Sequence, residues 1–467
     1  MVRKLMRMLL AVLIILTAVS CETPGTFMTE GVYYIDSSSG SDGGSGLTPD
    51  SAWRSLDKLN NAVFAPGSSV LFKSGQIFRG SLKPSSGTSS KPVTYSSYGG
   101  DARPIIQNSL DLGNSSDWID NGGGIWKASD AFSFDVGNIV FEHGSCAVRK
   151  WSLADLSADG DYYFDTFWKI LHLKSTLNPG DRYSSVEAAL TAHVIDQSNL
   201  TYAQFSNLHI RYGGAHGFGG GGTQGLIIRD CEISFMGGGF LYYNNGEPVR
   251  YGNGVEFWGD ASDNTVEDCY IHDIYDTGVT NQNHTTSAVQ ENITYRNNII
   301  ENCALASFEF WNRPGTSVMS SVVFENNTSV NPGGGWGAQR PDLHGSHVSV
   351  FGNEAVLDNV VIRNNIFYGG NMIYFFDQGV WDSPEVRSDY NCLHPVADGD
   401  YDYLCVIWDN NSIDSSVKYG AGNLAELRSA SGREANSIVA DPQFAALEYP
   451  YTLSDGSPCQ GLGASGY

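Results

Sequence analysis

Three carboxylic acids, Glu256, Asp276 and Glu309, stand in short segments rich in aromatic residues. Glu256 and Glu309 are each followed by Phe and Trp, in VEFWGD and FEFWNR. Two carboxyl groups on either side of a glycosidic bond can cleave it, one as the acid and the other as the base or nucleophile. Two simpler interpretations stay open. Outward acids can merely keep a surface soluble, and Asp276 can cap the turn that precedes Thr277 and Gly278.

The residues around these acids are of types that bind sugars. Tryptophan offers a flat surface for the C–H faces of a sugar ring, and a row of outward aromatic rings is costly unless something packs on it. We include Phe376 in this row. Arg340 and His347 have a second interpretation, in which they pair with nearby acids. The predicted substrate-binding residues are Trp258, His284, Trp311, Arg313, Trp336, Arg340, Asp342 and His347.

Five segments of the chain repeat: LIIRDCEI, NTVEDCYI, NITYRNNII, SVVFENNTS and NVVIRNNIF. Their alignment places Cys231, Cys269, Asn298, Asn327 and Asn365 in one column, at intervals of 38, 29, 29 and 38 residues. Each copy alternates like a strand, and no helical stretch lies between copies. Such repeats indicate a solenoid. We predict an all-β, single-stranded right-handed parallel β-helix, with an asparagine ladder at one inner corner.

A second strand in each repeat places the acids on one face. The aligned segments are GVEFWGD, TGVTNQ, SFEFWNR, GGWGAQR and MIYFFDQ. Because successive side chains of a strand point to opposite faces, Phe308 points inward, whereas Glu256 and Glu309 point outward. The insertion at 237–250 and the long turn at 340–355 are predicted to wall this face, since long loops on one side of a β-helix shape clefts.

The spacing of the acids leaves the stereochemistry open. Glu256 and Glu309 are two coils apart, so their backbones are expected about 10 Å apart. Leaning side chains would bring the carboxyl groups into the inverting range of about 6.5–9.5 Å, which we favour. Asp276 on the intervening coil would suit the retaining separation of about 5–5.5 Å with either Glu.

Both ends of the chain resemble those of a known group of proteins. YYIDSSSGSDGGSGLTPDSAWRSLDKLN near the start, and SIVADPQF and YTLSDGSPCQGLG near the end, are similar to the first and last coils of exported bacterial right-handed parallel β-helix proteins that act on polysaccharides. The resemblance implies a β-helix domain over 31–467, with a short helix at about 53–60 capping its first coil. It implies glycoside hydrolase or polysaccharide lyase chemistry only in outline, because the fold also serves esterases, epimerases and phage adhesins.

The first 20 residues are predicted to be a signal peptide, because a basic start precedes a short apolar run. The segment AVSC, which ends at Cys21, resembles a bacterial lipobox, although Ala18 stands where Leu is usual. The resemblance implies lipidation of Cys21, with 21–30 as a short linker. We therefore expect an exported monomer that is held at the bacterial cell envelope by its lipid alone. A plain signal peptide, cut nearby, would make the protein secreted.

The charge and the cysteines exclude several classes. With 51 acidic and 27 basic residues the formal net charge is −24, which does not suit nucleic acid and favours a neutral or weakly charged glycan. No Lys occurs from Asn199 to Gln378, which excludes a lysine-based lyase on this face. The chain has no CxxC motif and no compact acidic cluster, so no metal or other cofactor is expected. A loop disulfide between Cys392 and Cys405 is plausible.

These observations favour an exported polysaccharide-degrading enzyme, a glycoside hydrolase with paired carboxylates on the outward face of the β-helix. One alternative is a polysaccharide lyase, whose elimination would use Arg313, Arg340, His284 or His347. The other is a glycan-binding protein without catalysis. The identity of the glycan and its linkage stay open.

Overall fold

The repeated strands are too short to bury a face alone, and they stack into a parallel β-helix. A computed structural model describes residues 25–340, 345–395, 403–408 and 416–464. One face of the solenoid is a ten-stranded parallel sheet. Its strands are Ile77–Arg79, Ile105–Gln107, His209–Arg211, Glu232–Met236, Tyr270–Ile274, Ile299–Cys303, Thr328–Val330, Ile366–Tyr368, Cys392–His394 and Ile438–Val439.

The other strands of the coils belong to one twenty-stranded sheet, which is parallel except where its last two strands in the chain pair. Two ladders run side by side in it, since one coil contributes both a strand beside the acids and the strand that follows. The strands are Val32–Ile35, Ser69–Lys73, Val93–Tyr98, Ile195–Asp196, Ala203–Ser206, Phe218–Gly219, Gly221–Gln224, Ile227–Arg229, Val255–Ser262, Thr265–Glu267, Thr277–Asn283, Val289–Arg296, Ala306–Asn312, Val318–Glu325, Ser346–Val350, Val356–Arg363, Met372–Asp377, Val386–Asp389, Tyr403–Trp408 and Val417–Gly420.

The predicted register of the central coils is confirmed. Glu256 pairs with Thr280, and Thr280 pairs with Glu309, so the two glutamates lie two coils apart in one column. The neighbouring column is buried: Phe308 stacks on Phe324 with ring centroids 4.8 Å apart. The alternation therefore directs the acids away from the aromatic interior.

The asparagine ladder is also confirmed. The Cys269 N–H donates to Oδ1 of Asn298, and the N–H and Nδ2 of Asn298 both donate to Oδ1 of Asn327. The same pair of bonds links Asn327 to Asn365. Asn365 in turn donates to Asn391, which extends the ladder by a coil that the aligned repeats did not include. These bonds satisfy buried backbone and amide groups at one corner of the stack.

An outward column of alternating charge, here called the charge ladder, runs beside the asparagine ladder. Arg296 forms an ion pair with Glu267 at 2.5 Å, and Arg363 forms one with Glu325 at 2.7 Å. The side chains of Arg296 and Arg363 are both about half exposed. In register, the charge ladder consists of Arg229, Glu267, Arg296, Glu325, Arg363 and Asp389.

Residues 109–190 leave the solenoid and form a subdomain with a hydrophobic core of its own, whose strands pair antiparallel except for Val148–Lys150 with Asp161–Asp165. The repeat alignment began after this segment, and the sequence did not reveal that the domain over 31–467 carries an insertion. The four-stranded sheet of the subdomain comprises Ser109–Asp111, Val136–Phe141, Ser145–Cys146 and Val186–Leu190. Its five-stranded sheet comprises Trp118–Asp120, Ile125–Ala128, Val148–Lys150, Asp161–Asp165 and Ile170–Lys174.

The first coil is capped by a short helix, as the resemblance implied. Leu56 and Leu59 of this helix are buried against the core of the solenoid, and the Ser55 hydroxyl accepts the N–H of Lys58 at its start. Beside it, Thr26–Met28 pairs with Ala62–Phe64. The α-helices are Leu56–Asn60, Pro179–Arg182, Gln378–Trp381 and Leu424–Ser431, and the 3-10 helices are Pro49–Ser51, Ser115–Asp117, Leu153–Asp155, Trp336–Gln339 and Ala421–Asn423.

The C-terminal segment folds back along the ten-stranded sheet and is tied to it by a disulfide. Cys392 bonds to Cys459, and Cys405 is a buried free thiol. The expected bridge between Cys392 and Cys405 is therefore wrong, because the two cysteines lie on different faces of the coils. Within the part of the chain that the structure describes, no helix is long and apolar enough to cross a membrane.

Candidate active site

A cleft of about 690 Å³ lies on the outward face that carries the acids. A β-hairpin, Gly239–Asn244 and Glu247–Tyr251, forms one wall. The predicted site residues that the structure brings together here are Glu256, Asp276, Glu309, Trp258, His284, Trp311, Arg313 and Arg340. Among the described residues, no group of three or more His, Cys, Asp or Glu side chains could hold a metal ion.

Glu256 lines the cleft and is almost fully buried. Its Oε2 accepts Nδ2 of Asn253 at 2.8 Å and lies 3.3 Å from Nε2 of His216. The N–H of Asn253 donates to Nδ1 of His216, so Nε2 carries the proton that points at Glu256. Burial raises the pKa of Glu256 to about 7, against the opposing effects of His193 and Asn253, and the charge of Asp276 adds to the rise.

His216 is a neutral neighbour of Glu256. Burial lowers the pKa of His216 to about 3, so its contact with Glu256 is a hydrogen bond and not an ion pair. His193 stacks on His216 with ring centroids 5.0 Å apart, and burial, with His216 beside it, lowers the pKa of His193 to about 4. Two neutral imidazoles therefore line the cleft beside Glu256.

Glu309 is the second buried carboxyl group and is 5% exposed. Its Oε2 accepts Nε2 of Gln282 at 2.5 Å. Burial raises the pKa of Glu309 to about 8, and the negative charge of Asp276 is the chief neighbouring charge that adds to the rise. Gln282, Arg340 and Trp311 oppose this rise but do not cancel it. Glu309 is therefore protonated at neutral pH in spite of its access to a ligand.

Asp276 lies on the coil between the two glutamates. Its N–H donates to the carbonyl of Gly252 at 3.1 Å, and its own carbonyl accepts the N–H of Leu305 at 3.0 Å. The Asp276 carboxylate accepts Nη1 of Arg340 at 2.7 Å. A charge-assisted bond of this kind compensates the negative charge of Asp276. The cleft thus holds one compensated carboxylate between two carboxyl groups whose pKa values are raised.

Aromatic and basic side chains form the wall opposite the hairpin. Trp258 and Trp311 meet edge to face, with centroids 6.0 Å apart and planes at 89°. His284 lies 6.3 Å from Trp311 at the same angle. The guanidinium carbon of Arg313 is 5.2 Å from the Trp311 centroid. These rings present both faces and edges to the cleft, which is the surface that sugar rings require.

The hairpin wall depends on the inserted subdomain. Arg250 donates to the carbonyls of Gly238 and Gly137, and Gly137 belongs to the insertion. Arg149, also of the insertion, donates to the Gly238 carbonyl and forms an ion pair with Asp135 at 2.7 Å. At the tip of the hairpin, Tyr242 is about half exposed and lines the cleft.

Two of the cleft histidines, His193 and His216, were missed by the sequence reasoning. They lie on successive coils, just before the paired strands Ile195–Asp196 and Phe218–Gly219. The segment with His216, GGAHGFGGGG, lacks a run of β-branched residues. An alignment of HGF at 216–218 with NGV at 253–255 could have found His216. The pairing of Phe218 with Val255 supports that alignment and places His216 one coil before Asn253.

The predicted roles of Trp336, His347 and Phe376 are wrong, because the segment GGWGAQR is not a strand of the stack. Ser346–Val350 takes that place, with Val348 paired to Phe308. Trp336 instead lies in a 3-10 helix and donates Nε1 to the Asp273 carbonyl.

His347 and Phe376 lie in the interior. His347 is fully buried, donates Nε2 to the Gly369 carbonyl and bonds to the Ser329 hydroxyl. Phe376 belongs to the hydrophobic core. Asp342, predicted to bind substrate, and Cys21, predicted to be lipidated, lie outside the described residues.

Known proteins share this fold. A family model described as the right handed beta helix region matches residues 188–381. Lacto-N-biosidase of Bifidobacterium longum is 33% identical over 92 residues, which are 18% of this chain and 6% of that protein. The chain therefore matches only a small part of this curated relative.

Two solved structures superpose on most of the chain. The complex of XylC with xylose has a TM-score of 0.52 at 12% identity and covers 78% of this chain and 63% of its own. A rhamnogalacturonan lyase has a TM-score of 0.42 at 12% identity, with coverage of 93% and 99%. At 12% identity, the similarity to XylC shows a shared fold.

Proposed function

We propose that the protein is a glycoside hydrolase that cleaves a neutral or weakly charged glycan in this cleft. The observation that carries the proposal is three carboxyl groups in one cleft, where burial raises the pKa of Glu256 to about 7 and that of Glu309 to about 8, while Arg340 compensates the carboxylate of Asp276. Groups whose environments separate their protonation states take the acid and base roles at neutral pH. A lacto-N-biosidase among the relatives and the xylose bound to XylC support a sugar substrate.

We assign the general acid to Glu309 and the ionised role to Asp276. Asp276 is the chief neighbouring charge that raises the pKa of Glu309, whereas at Glu256 the chief neighbouring group, His193, opposes the rise. Glu309 would protonate the leaving oxygen, while Asp276 would attack the anomeric carbon or activate a water. Glu256, held by Asn253, would donate a hydrogen bond to a sugar hydroxyl.

A polysaccharide lyase is the second candidate, because two arginines line the same cleft. Arg313 and Arg340 could neutralise a uronate carboxylate, as an elimination requires. Arg340 already compensates Asp276, so the hydrolase accounts for more of the site.

Incubation with a panel of glycans tests the proposal. Hydrolysis produces new reducing ends without absorbance at about 235 nm, whereas elimination produces both, because it creates a conjugated double bond. We expect reducing ends alone. Absorbance that grows in proportion to the ends would replace the hydrolase by the lyase, and binding without either product would leave a glycan-binding protein. The anomer first released, followed by NMR, decides whether Asp276 attacks the sugar or activates water.

A further inference from the structure

The three arginines that line the cleft differ in how their donors are used. Arg340 forms its ion pair with Asp276, and Arg250 donates to backbone carbonyls and to a neighbouring side-chain amide. Arg313 donates only from Nη1 to Nε2 of His284, at 3.3 Å. No carboxylate of the described residues forms an ion pair with Arg313, so the guanidinium keeps donors for a ligand.

The Arg313 guanidinium is held in one orientation. It lies over Trp311, with its central carbon 5.2 Å from the ring centroid. Gly352 also lies against it, since an added Cβ there would approach Nε to 3.5 Å. The bond to His284 fixes the remaining rotation. A planar fork of donors held in this way is suited to a planar anion.

The charge balance of the cleft leaves Arg313 uncompensated. Burial raises the pKa of Glu256 to about 7 and that of Glu309 to about 8, so both carboxyl groups are neutral in mildly acidic solution. Asp276 and Arg340 compensate each other. Arg250 donates to the carbonyls of Gly238 and Gly137 and to the side chain of Gln339. Arg313 therefore carries a positive charge that no carboxylate of the described residues pairs with, within a protein whose net charge is −24.

We propose that Arg313 binds the carboxylate of a uronic acid residue carried by the glycan, at a subsite beside Trp311. The inference rests on the proposed function, since it assumes that the cleft binds a glycan. Arg313 would pair with the carboxylate while the Trp311 ring packs against the same or the next sugar. The net charge repels a densely anionic polymer, so the substrate class is an otherwise neutral glycan with isolated uronate groups.

Matched oligosaccharides test this subsite. The probes are neutral oligosaccharides with one glucuronate or galacturonate group, and the same compounds with the carboxyl group reduced to an alcohol. Binding is measured by calorimetry in a Glu309→Gln background, which prevents turnover, with and without Arg313→Gln. Arg387→Gln is the matched control, because Arg387 is exposed, bonds to Asn359 and lies outside the cleft.

We expect at least one acid form to bind about 10- to 100-fold more tightly than its reduced form, as a charge-assisted pair predicts. Arg313→Gln should bring this ratio close to one, and Arg387→Gln should retain it. Added salt should lower the ratio. Equal binding of acid and reduced forms across the panel, or a preference that survives Arg313→Gln, overturns the subsite.

The two proposals fail in different ways. A carboxylate preference that depends on Arg313, in a protein that releases no reducing ends, refutes the hydrolase and leaves the subsite. Hydrolysis with no preference for the acid form leaves the hydrolase and refutes the subsite.

Discussion

At the scale of single residues, a substitution of Glu309 can remove the proposed acid catalysis with little change in the shape of the cleft. Glu309→Gln keeps the size of the side chain but cannot give up a proton to a leaving oxygen. General acid catalysis contributes about 10²- to 10⁴-fold, so kcat should fall by that order. Trp311→Ala should instead raise KM more than it lowers kcat, because stacking acts on ground and transition states alike. Steady-state kinetics, with circular dichroism to monitor folding, separates the two effects.

A different result would support the lyase. If Glu309→Gln retained near-normal turnover while Arg340→Ala or Arg313→Ala abolished it, the carboxylate mechanism would be wrong.

The pH dependence follows from the same residue. The raised pKa of Glu309, about 8, means that the acid form persists through neutral pH. The rate constant kcat/KM should therefore stay level up to about pH 7 and fall roughly tenfold per pH unit above about 8. Asp276→Asn removes a negative charge that raises this pKa, so the alkaline limb of its residual activity should move to lower pH. An alkaline limb that persists unchanged in Glu309→Gln would assign it to another group.

At the scale of elements, the hairpin offers two adjacent tyrosines with opposite surroundings. Tyr242 lines the cleft, whereas Tyr243 packs on Phe240 and Trp151. Both are more than half exposed. Tyr242→Ala should raise KM several-fold with little change in kcat, and Tyr243→Ala, its matched control, should leave KM unchanged. Equal KM values in the two variants would remove the hairpin from the binding surface.

The asparagine ladder makes a prediction about stability. Asn327→Leu removes the Oδ1 that accepts from the N–H and Nδ2 of Asn298, and the Nδ2 that donates to the Tyr295 carbonyl, so the free energy of unfolding should fall by about 1–3 kcal/mol. Ser320→Leu on the preceding strand, which is only partly buried, should change it by less than about 0.5 kcal/mol. Urea denaturation measures both, and equal midpoints for Asn327→Leu and the wild type would show that the ladder adds no stability.

Elements that repeat were the ones that the sequence predicted correctly. Thr280 and Glu309 could be aligned because the residues before them, Val279 and Phe308, each lie eight residues beyond an apolar strand position, Ile271 and Ile300. Glu256 could be aligned across the insertion at 237–250 because its own segment, VEFWGD, matches FEFWNR. Trp336 could not be placed, since three glycines before it give a segment with no inward and outward alternation. The insertion at 109–190 has no copy elsewhere in the chain, so repetition carries no information about it.

At the scale of the whole molecule, the N-terminal segment with Cys21 bears on where the protein resides. We propose that Cys21 is lipidated and anchors an exported protein to the cell envelope. The native protein should then partition into the detergent phase, and Cys21→Ser should move to the soluble fraction with its activity retained. Identical partitioning of the two forms would refute the anchor and leave export untouched.

The charge ladder bears on how the stack avoids misassembly. Successive coils offer their neighbours a small polar side chain, Asn or Cys, in one column and similar aliphatic residues in others, so these columns alone would accept a coil that is one repeat too far along the chain. Arginine and acid alternate from Arg229 to Asp389. Skipping one coil would set arginine against arginine, or acid against acid, and like charges directly opposite are unfavourable. The alternating charges of the charge ladder therefore disfavour a stack in which one coil is left out.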